Sequence, residues 1–229
     1  LYNSSKDPSD MDDRLNSGSE KLNEFLEGGY EKSVITTIFG PSGTGKTTTC
    51  LLSALAASKD GKVIFIDTEG GFSTERLKQL TPDYKKVLDR IFMLKPTTFI
   101  EQKHCIDSLH KSLPKSVVLI ICDTIAALYR VERGDDNQSL NTELGRQLGK
   151  LLEISRKNSI PVILTNQVYA DFDDKTKVKM VGGDILTYNS KCLLEFQLLE
   201  KNQRKVILKK HRSLPEKEIT FEIKQEGIV

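Results

Sequence analysis

The sequence predicts an α/β fold: a mostly parallel sheet with helices on both faces and a C-terminal antiparallel extension. Three observations carry this. After residue 33, apolar runs of strand length alternate with helical stretches, the pattern of a doubly wound sheet. The runs at 34–40, 62–67, 116–123 and 160–167 are nearly continuous in β-branched and apolar residues, as strands covered on both faces must be. Beyond residue 190 the helical stretches stop and short strands follow one another.

In chain order, VITTIFG (34–40) is the first strand and 46–58 a helix. KVIFID (62–67), a helical stretch near 74–80 and IFML (91–94) follow. Residues 97–112 are helical, SVVLIICD (116–123) is a strand, 138–158 is a helix and IPVILTNQ (160–167) is a strand. Residues 168–180 lack any period and read as a loop. The last three strands are KCLLEFQLLE, RKVILKKH and KEITFEI, divided by polar breaks at Lys201–Gln203 and Ser213–Pro215. About 40 residues would bury too little surface to stand alone, so they extend the same sheet. One core domain over 15–229 results. Residues 1–14 read as a tail, the polar residues before Met11 being set aside as a remnant.

Composition narrows the function classes. Hydrophobic residues make up 38% of the 229 and charged residues 29%, which excludes a wholly disordered chain. Thirty-four Lys and Arg against 32 Asp and Glu leave a net charge of +2, too balanced for the whole surface to act as a nucleic-acid or membrane binder. No apolar run approaches the roughly 18 to 20 residues that span a bilayer, and the start has no signal-peptide pattern. The expectation is a soluble cytoplasmic protein without a membrane partner. Cys50, Cys105, Cys122 and Cys192 are too scattered for a zinc site or a disulfide framework and read as free thiols.

The strongest motif is Gly40-Pro41-Ser42-Gly43-Thr44-Gly45-Lys46-Thr47, with Thr48 following, a complete G-x-x-x-x-G-K-[ST] between an apolar strand and a helical stretch. Its glycines let backbone N–H groups wrap a phosphate chain at a helix N-terminus. Lys46 would reach the β- and γ-phosphates and the Thr47 hydroxyl would hold Mg²⁺. Ligands of open α/β sheets bind beyond the carboxyl ends of the strands, and three polar residues stand there. Asp123 suits a carboxylate that holds the metal through water. Glu69 could polarise an attacking water as general base. Gln167 could hydrogen-bond the γ-phosphate.

The segments GPSGTGKT, FIDTEGGFSTERL, LIICDTIAALYR, GRQLGKLL, PVILTNQV, VGGD and KKHRS, in this order and spacing, resemble the RecA-type recombinases of archaea and eukaryotes. The resemblance implies a RecA-like P-loop NTPase core using ATP and Mg²⁺, with Glu69 as the catalytic glutamate and Gln167 as γ-phosphate sensor. It further implies Arg76 on the adenine face and Lys210 and Arg212 facing the ATP of a neighbouring protomer. Single-stranded DNA would meet two loops, 130–138 with Arg130 and Arg133, and 168–183 with Lys175, Lys177 and Lys179. Each loop also carries acids, so modest, salt-dependent affinity is expected.

Two departures from the family pattern shape the functional reading. Only about 30 residues precede strand 34–40, where full recombinases carry a helical DNA-binding domain. Upstream of the core stands Phe25-Leu26-Glu27-Gly28 rather than the Phe-x-x-Ala segment that joins recombinase protomers. The sequence thus reads as an ATP-binding, slowly hydrolysing accessory factor of homologous recombination and DNA repair. Its partners would be single-stranded DNA, a full-length recombinase and other repair proteins. The alternatives are a self-sufficient DNA-dependent ATPase and an ATP-gated switch without DNA contact.

Overall fold

Successive residues of a strand point to opposite faces, so a strand buried on both must be apolar throughout. In KVIFID, Val63 and Phe65 join one core while Ile64 and Ile66 join the other. Leu119 and Ile121 likewise oppose Ile120 and Cys122. A computed structural model describes residues 14–134, 137–170, 178–200 and 202–229 and shows how these strands assemble.

The chain opens with β1 (Arg14–Leu15), α1 (Glu20–Phe25) and β2 (Tyr30–Glu31), β1 and β2 forming a small antiparallel pair. Then come β3 (Ile35–Phe39), α2 (Lys46–Ala57), β4 (Lys62–Asp67), α3 (Thr74–Leu80), α4 (Tyr84–Leu88) and β5 (Ile91–Leu94). The middle holds α5 (Phe99–Lys111), β6 (Val117–Asp123), α6 (Ala127–Glu132), α7 (Asn137–Asn158) and β7 (Val162–Asn166). The remainder is β8 (Val168–Ala170), β9 (Val178–Met180), α8 (Gly183–Asn189), β10 (Cys192–Leu198), β11 (Gln203–Lys210), β12 (Lys217–Lys224) and β13 (Gly227–Ile228). Ser73 and Thr98 cap α3 and α5, their hydroxyls accepting the amides of Arg76 and Glu101.

The main sheet has the order β13-β12-β11-β10-β3-β7-β6-β4-β5. Strands β10, β3, β7, β6, β4 and β5 are mutually parallel, and β11 to β13 turn antiparallel. One face packs on α1 and α2 through Leu22, Phe25, Cys50, Leu52, Phe65 and Phe196. The other packs on α5 and α7 through Ile106, Leu144, Leu148 and Leu151 against Ile35, Ile66 and Ile120. A buried side chain of this size is worth about 1.5–3 kcal/mol, so the two apolar faces dominate the fold's stability. No described helix is long and apolar enough to cross a membrane.

Several local expectations need correction. The C-terminal extension is not antiparallel from its start: β10 joins parallel to β3, with Cys192 opposite Thr36, because α8 carries the chain back before it enters the sheet. The stretch 168–180 is not wholly a loop, since β8 and β9 pair with Val168 opposite Met180; residues 171–177 lie outside the described residues. Segment 130–138 is not wholly a loop: Arg130 to Glu132 end α6, and Asn137 and Gln138 open α7; residues 135 and 136 lie outside the described residues. Phe25 and Leu26, expected upstream of the core, are buried within it.

Glu31 is the polar hub of the N-terminal end. It is buried, and its carboxylate meets Arg14 at 3.3 Å, Arg212 at 2.9 Å and His211 at 3.7 Å. His211 Nδ1 accepts the amides of Ser213 and Leu214, each at 3.2 Å, so the neutral ring carries its proton on Nε2, toward Glu31. Burial pushes the His211 pKa below the ordinary 6.5, against the opposing pull of Glu31. The folded state therefore disfavours a proton that the unfolded chain accepts below that value, and stability is lost as pH falls through it. Denaturant titrations over a pH series are expected to show the parent losing stability relative to His211→Gln as pH drops below 6.5, with the two curves parallel above it.

Candidate functional site

Because the parallel strands end on the same side, their carboxyl ends bring distant polar residues together. The loop 40–45 leaves β3, whose last residue Phe39 lies opposite Asn166 of β7, and enters α2 at Lys46. Gly40 has no room for a side chain, since a Cβ there would stand 2.1 Å from the Phe196 carbonyl oxygen of β10. Gly45 has a φ of +101°, and a Cβ on it would stand 2.3 Å from Ile223 Cδ1. Within the loop, Thr44 Oγ1 donates to the Pro41 carbonyl at 2.9 Å. Lys46 Nζ donates to the carbonyls of Gly40 at 2.7 Å and Pro41 at 2.8 Å. Burial pulls the Lys46 pKa below its usual value, and nearby Asp123 and Glu69 oppose that shift.

Thr47 Oγ1 donates to Asp123 Oδ2 at 2.7 Å, joining the first turn of α2 to the end of β6. The other oxygen, Oδ1, accepts from Thr165 Oγ1 of β7. Asp67, at the end of β4, lies opposite Asp123 in the sheet and accepts the amides of Gly71 at 3.0 Å and Phe72 at 3.2 Å. This fixes the turn that carries Glu69. Thr68 and Thr124 lock the two strand ends together: Thr68 Oγ1 donates to the Thr124 carbonyl at 2.7 Å and accepts the Thr124 amide at 2.9 Å. The peptide between Asp123 and Thr124 is cis. Glu69 Oε2 accepts from Thr124 Oγ1 at 2.9 Å, and its Oε1 accepts from Gln167 Nε2 at 2.5 Å.

Lys46, Thr47, Asp123, Glu69 and Gln167 are thus brought to one end of the sheet. Ser42 and Gly43 are exposed, and a Cβ on Gly43 would find nothing within 4 Å, leaving open space over the loop. A hydroxyl and a carboxylate in contact are hard oxygen donors of the kind Mg²⁺ takes alongside phosphate oxygens. The residues present therefore fit a Mg²⁺–nucleotide: the loop amides, Lys46 and the first turn of α2 with Thr47 and Thr48 would hold the phosphates, and Thr47 with Asp123 the metal.

The remaining sequence candidates lie elsewhere or are already engaged. Arg76 is tied to the β12–β13 turn, its guanidinium donating to the carbonyls of Lys224 at 2.7 Å and Gln225 at 3.1 Å, next to the Ile223 that abuts Gly45. Lys210 lies opposite Leu193, at the start of β10 and so at the end of the sheet away from the chain's own phosphate loop; its Nζ donates to the Thr187 carbonyl at 2.7 Å. Arg212 pairs with Glu31. Arg130 NH1 donates to Gln167 Oε1 at 2.9 Å, while Arg133 lies 5.9 Å from the Tyr129 ring centroid. Lys179 is exposed on β9; Lys175 and Lys177 fall outside the described residues. The sequence reading passed over Asp67, Thr68, Thr124 and Thr165. Their one signal was that each lies within two residues of a chosen residue at a strand's carboxyl end.

The profile of the Rad51 family matches residues 13–229. The DNA repair and recombination protein RadB of Methanobrevibacter smithii is 43% identical over 225 residues, 93% of this chain and 94% of that protein. The protein of the same name from Methanocaldococcus jannaschii is 39% identical, covering 90% of this chain and 98% of its own. A crystal structure described as the RadB recombinase superposes with a TM-score of 0.82 at 37% identity, covering 93% of this chain and 98% of that one. A match over this share of the chain, on a sheet that carries the phosphate loop and the strand-end carboxylates together, places the protein in the Rad51 family.

Proposed function

We propose that the chain is an ATP-binding, Mg²⁺-dependent, slowly hydrolysing accessory protein of homologous recombination and DNA repair, acting in the cytoplasm with single-stranded DNA and a full-length recombinase. The observation that carries the ATPase reading is the row of side chains in which Thr47 and Thr165 donate to Asp123 while the neighbouring Thr124 and Gln167 donate to Glu69. It sets metal-type ligands, a carboxylate base and a carboxamide side by side beyond one row of strand ends. The repair setting follows from the relatives named RadB.

In this reading Mg²⁺–ATP supplies the reactive phosphoryl group and the metal's neutralising charge. Lys46 compensates phosphate charge in the bound state, whereas Glu69 takes the proton from water as it attacks. Gln167, at the end of β7, adjoins β8 and the loop beyond it, so a contact to the γ-phosphate would be felt where DNA is expected. Lys210 and Arg212, standing away from the chain's own loop, suit contact with the ATP of a neighbouring protomer. The sheet ends on β5, where Phe92 is exposed, and an edge strand of this kind is a place where an extended segment of a partner can add.

Four outcomes test this function. Lys46→Ala should weaken ATP binding about 10- to 100-fold by loss of a charge-assisted contact. Glu69→Gln should keep ATP affinity while lowering kcat about 10²- to 10⁴-fold; isothermal titration and single-turnover hydrolysis separate the two. For a labelled oligo-dT, fluorescence anisotropy should give a log–log salt slope of about −2, the value for about three neutralised phosphates. A fluorescent peptide carrying the recombinase Phe-x-x-Ala segment should bind saturably, and absence of saturation would remove the recombinase as a partner through that segment.

A further inference from the structure

Arg130 does more than offer a cation to nucleic acid. It lies in the last turn of α6, exposed, and its NH1 donates to Gln167 Oε1 at 2.9 Å. A guanidinium has donors only, so the face of Gln167 turned toward it must be the carboxamide oxygen. That choice directs the amide NH₂ at Glu69, whose Oε1 it meets at 2.5 Å. Thr124 Oγ1 occupies the other carboxylate oxygen at 2.9 Å. Both oxygens of the base are thus engaged, one by a buried hydroxyl and one by an amide that an exposed arginine holds in place.

We propose that Arg130 is a positioning residue for hydrolysis: by fixing Gln167 it holds Glu69 engaged, and a phosphodiester that takes Arg130 frees Glu69 to accept a proton from water. The proposal rests on the reading of Glu69 as general base. The exchange runs in the right direction, because a guanidinium binds a phosphate through paired, charge-assisted hydrogen bonds, which are stronger than its bond to a neutral amide. Thr124 keeps the carboxylate on site once Gln167 lets go. One residue then links the strand-end chemistry to the surface at which single-stranded DNA is expected.

Steady-state ATP hydrolysis, with and without oligo-dT, tests this in the parent, Arg130→Ala, Arg130→Lys and Glu69→Gln. Arg130→Ala is expected to raise the DNA-free kcat about fivefold, the net worth of about one hydrogen bond, with KM for ATP unmoved and no further response to oligo-dT. Arg130→Lys, which keeps a cationic donor, should bring kcat back toward the parent value. A DNA-free kcat of Arg130→Ala at or below the parent's overturns the proposal. If Glu69→Gln is slow while Arg130→Ala matches the parent, the coupling alone is wrong. If Glu69→Gln hydrolyses at the parent rate, the base assignment is wrong and the proposal falls with it.

Discussion

The hydrogen bond from Thr47 Oγ1 to Asp123 Oδ2 is the contact on which the rest of the site depends. It joins the helix that follows the phosphate loop to a carboxylate at the end of a different strand. Its length is set far from either residue, by the register of β3, β7 and β6. Phe39 lies level with Asn166, and Asp67 level with Asp123, because the apolar residues behind them are locked into two opposed cores. A slip of one residue would move each strand's side chains into the opposite core, so side-chain packing in the two cores fixes the polar tips as well.

What could be read from the sequence was what local chemistry encodes. The phosphate loop, the four two-faced strands and the helices at 46–58, 97–112 and 138–158 each rest on spacing within a dozen or so residues. The misreadings share a different origin. Residues 130–132 finish a six-residue helix, too short to show a period, that is held by burying Leu128 and Tyr129 against the α5 and α7 layer. The direction of β10 depends on α8, seven residues that the sequence pattern left without an assignment. Thr68, Thr124 and Thr165 matter through partners on other strands, which no single stretch of sequence displays.

Charge counted from the sequence says nothing about what already holds each cation. Arg212 is committed to Glu31, Lys210 to the Thr187 carbonyl, Arg130 to Gln167 and Arg76 to the β12–β13 turn. Each is a cation whose availability to a second ligand is a competition between two partners rather than a fixed property. Exposure decides how easily that competition is entered. Arg212 and Arg130 are exposed, whereas Glu31, which holds Arg212, is buried and Gln167, which holds Arg130, is half-buried.

The position of β3 in the sheet has a consequence for biogenesis. Both of its neighbours, β7 and β10, are encoded far downstream, although the phosphate loop itself emerges early from the ribosome. At about 5–20 residues per second, the apolar ITTIF strand waits on the order of ten seconds for a second pairing partner. Until β7 is made it presents two unpaired, hydrophobic edges, and until β10 is made one, to whatever chaperone or neighbouring nascent chain is at hand.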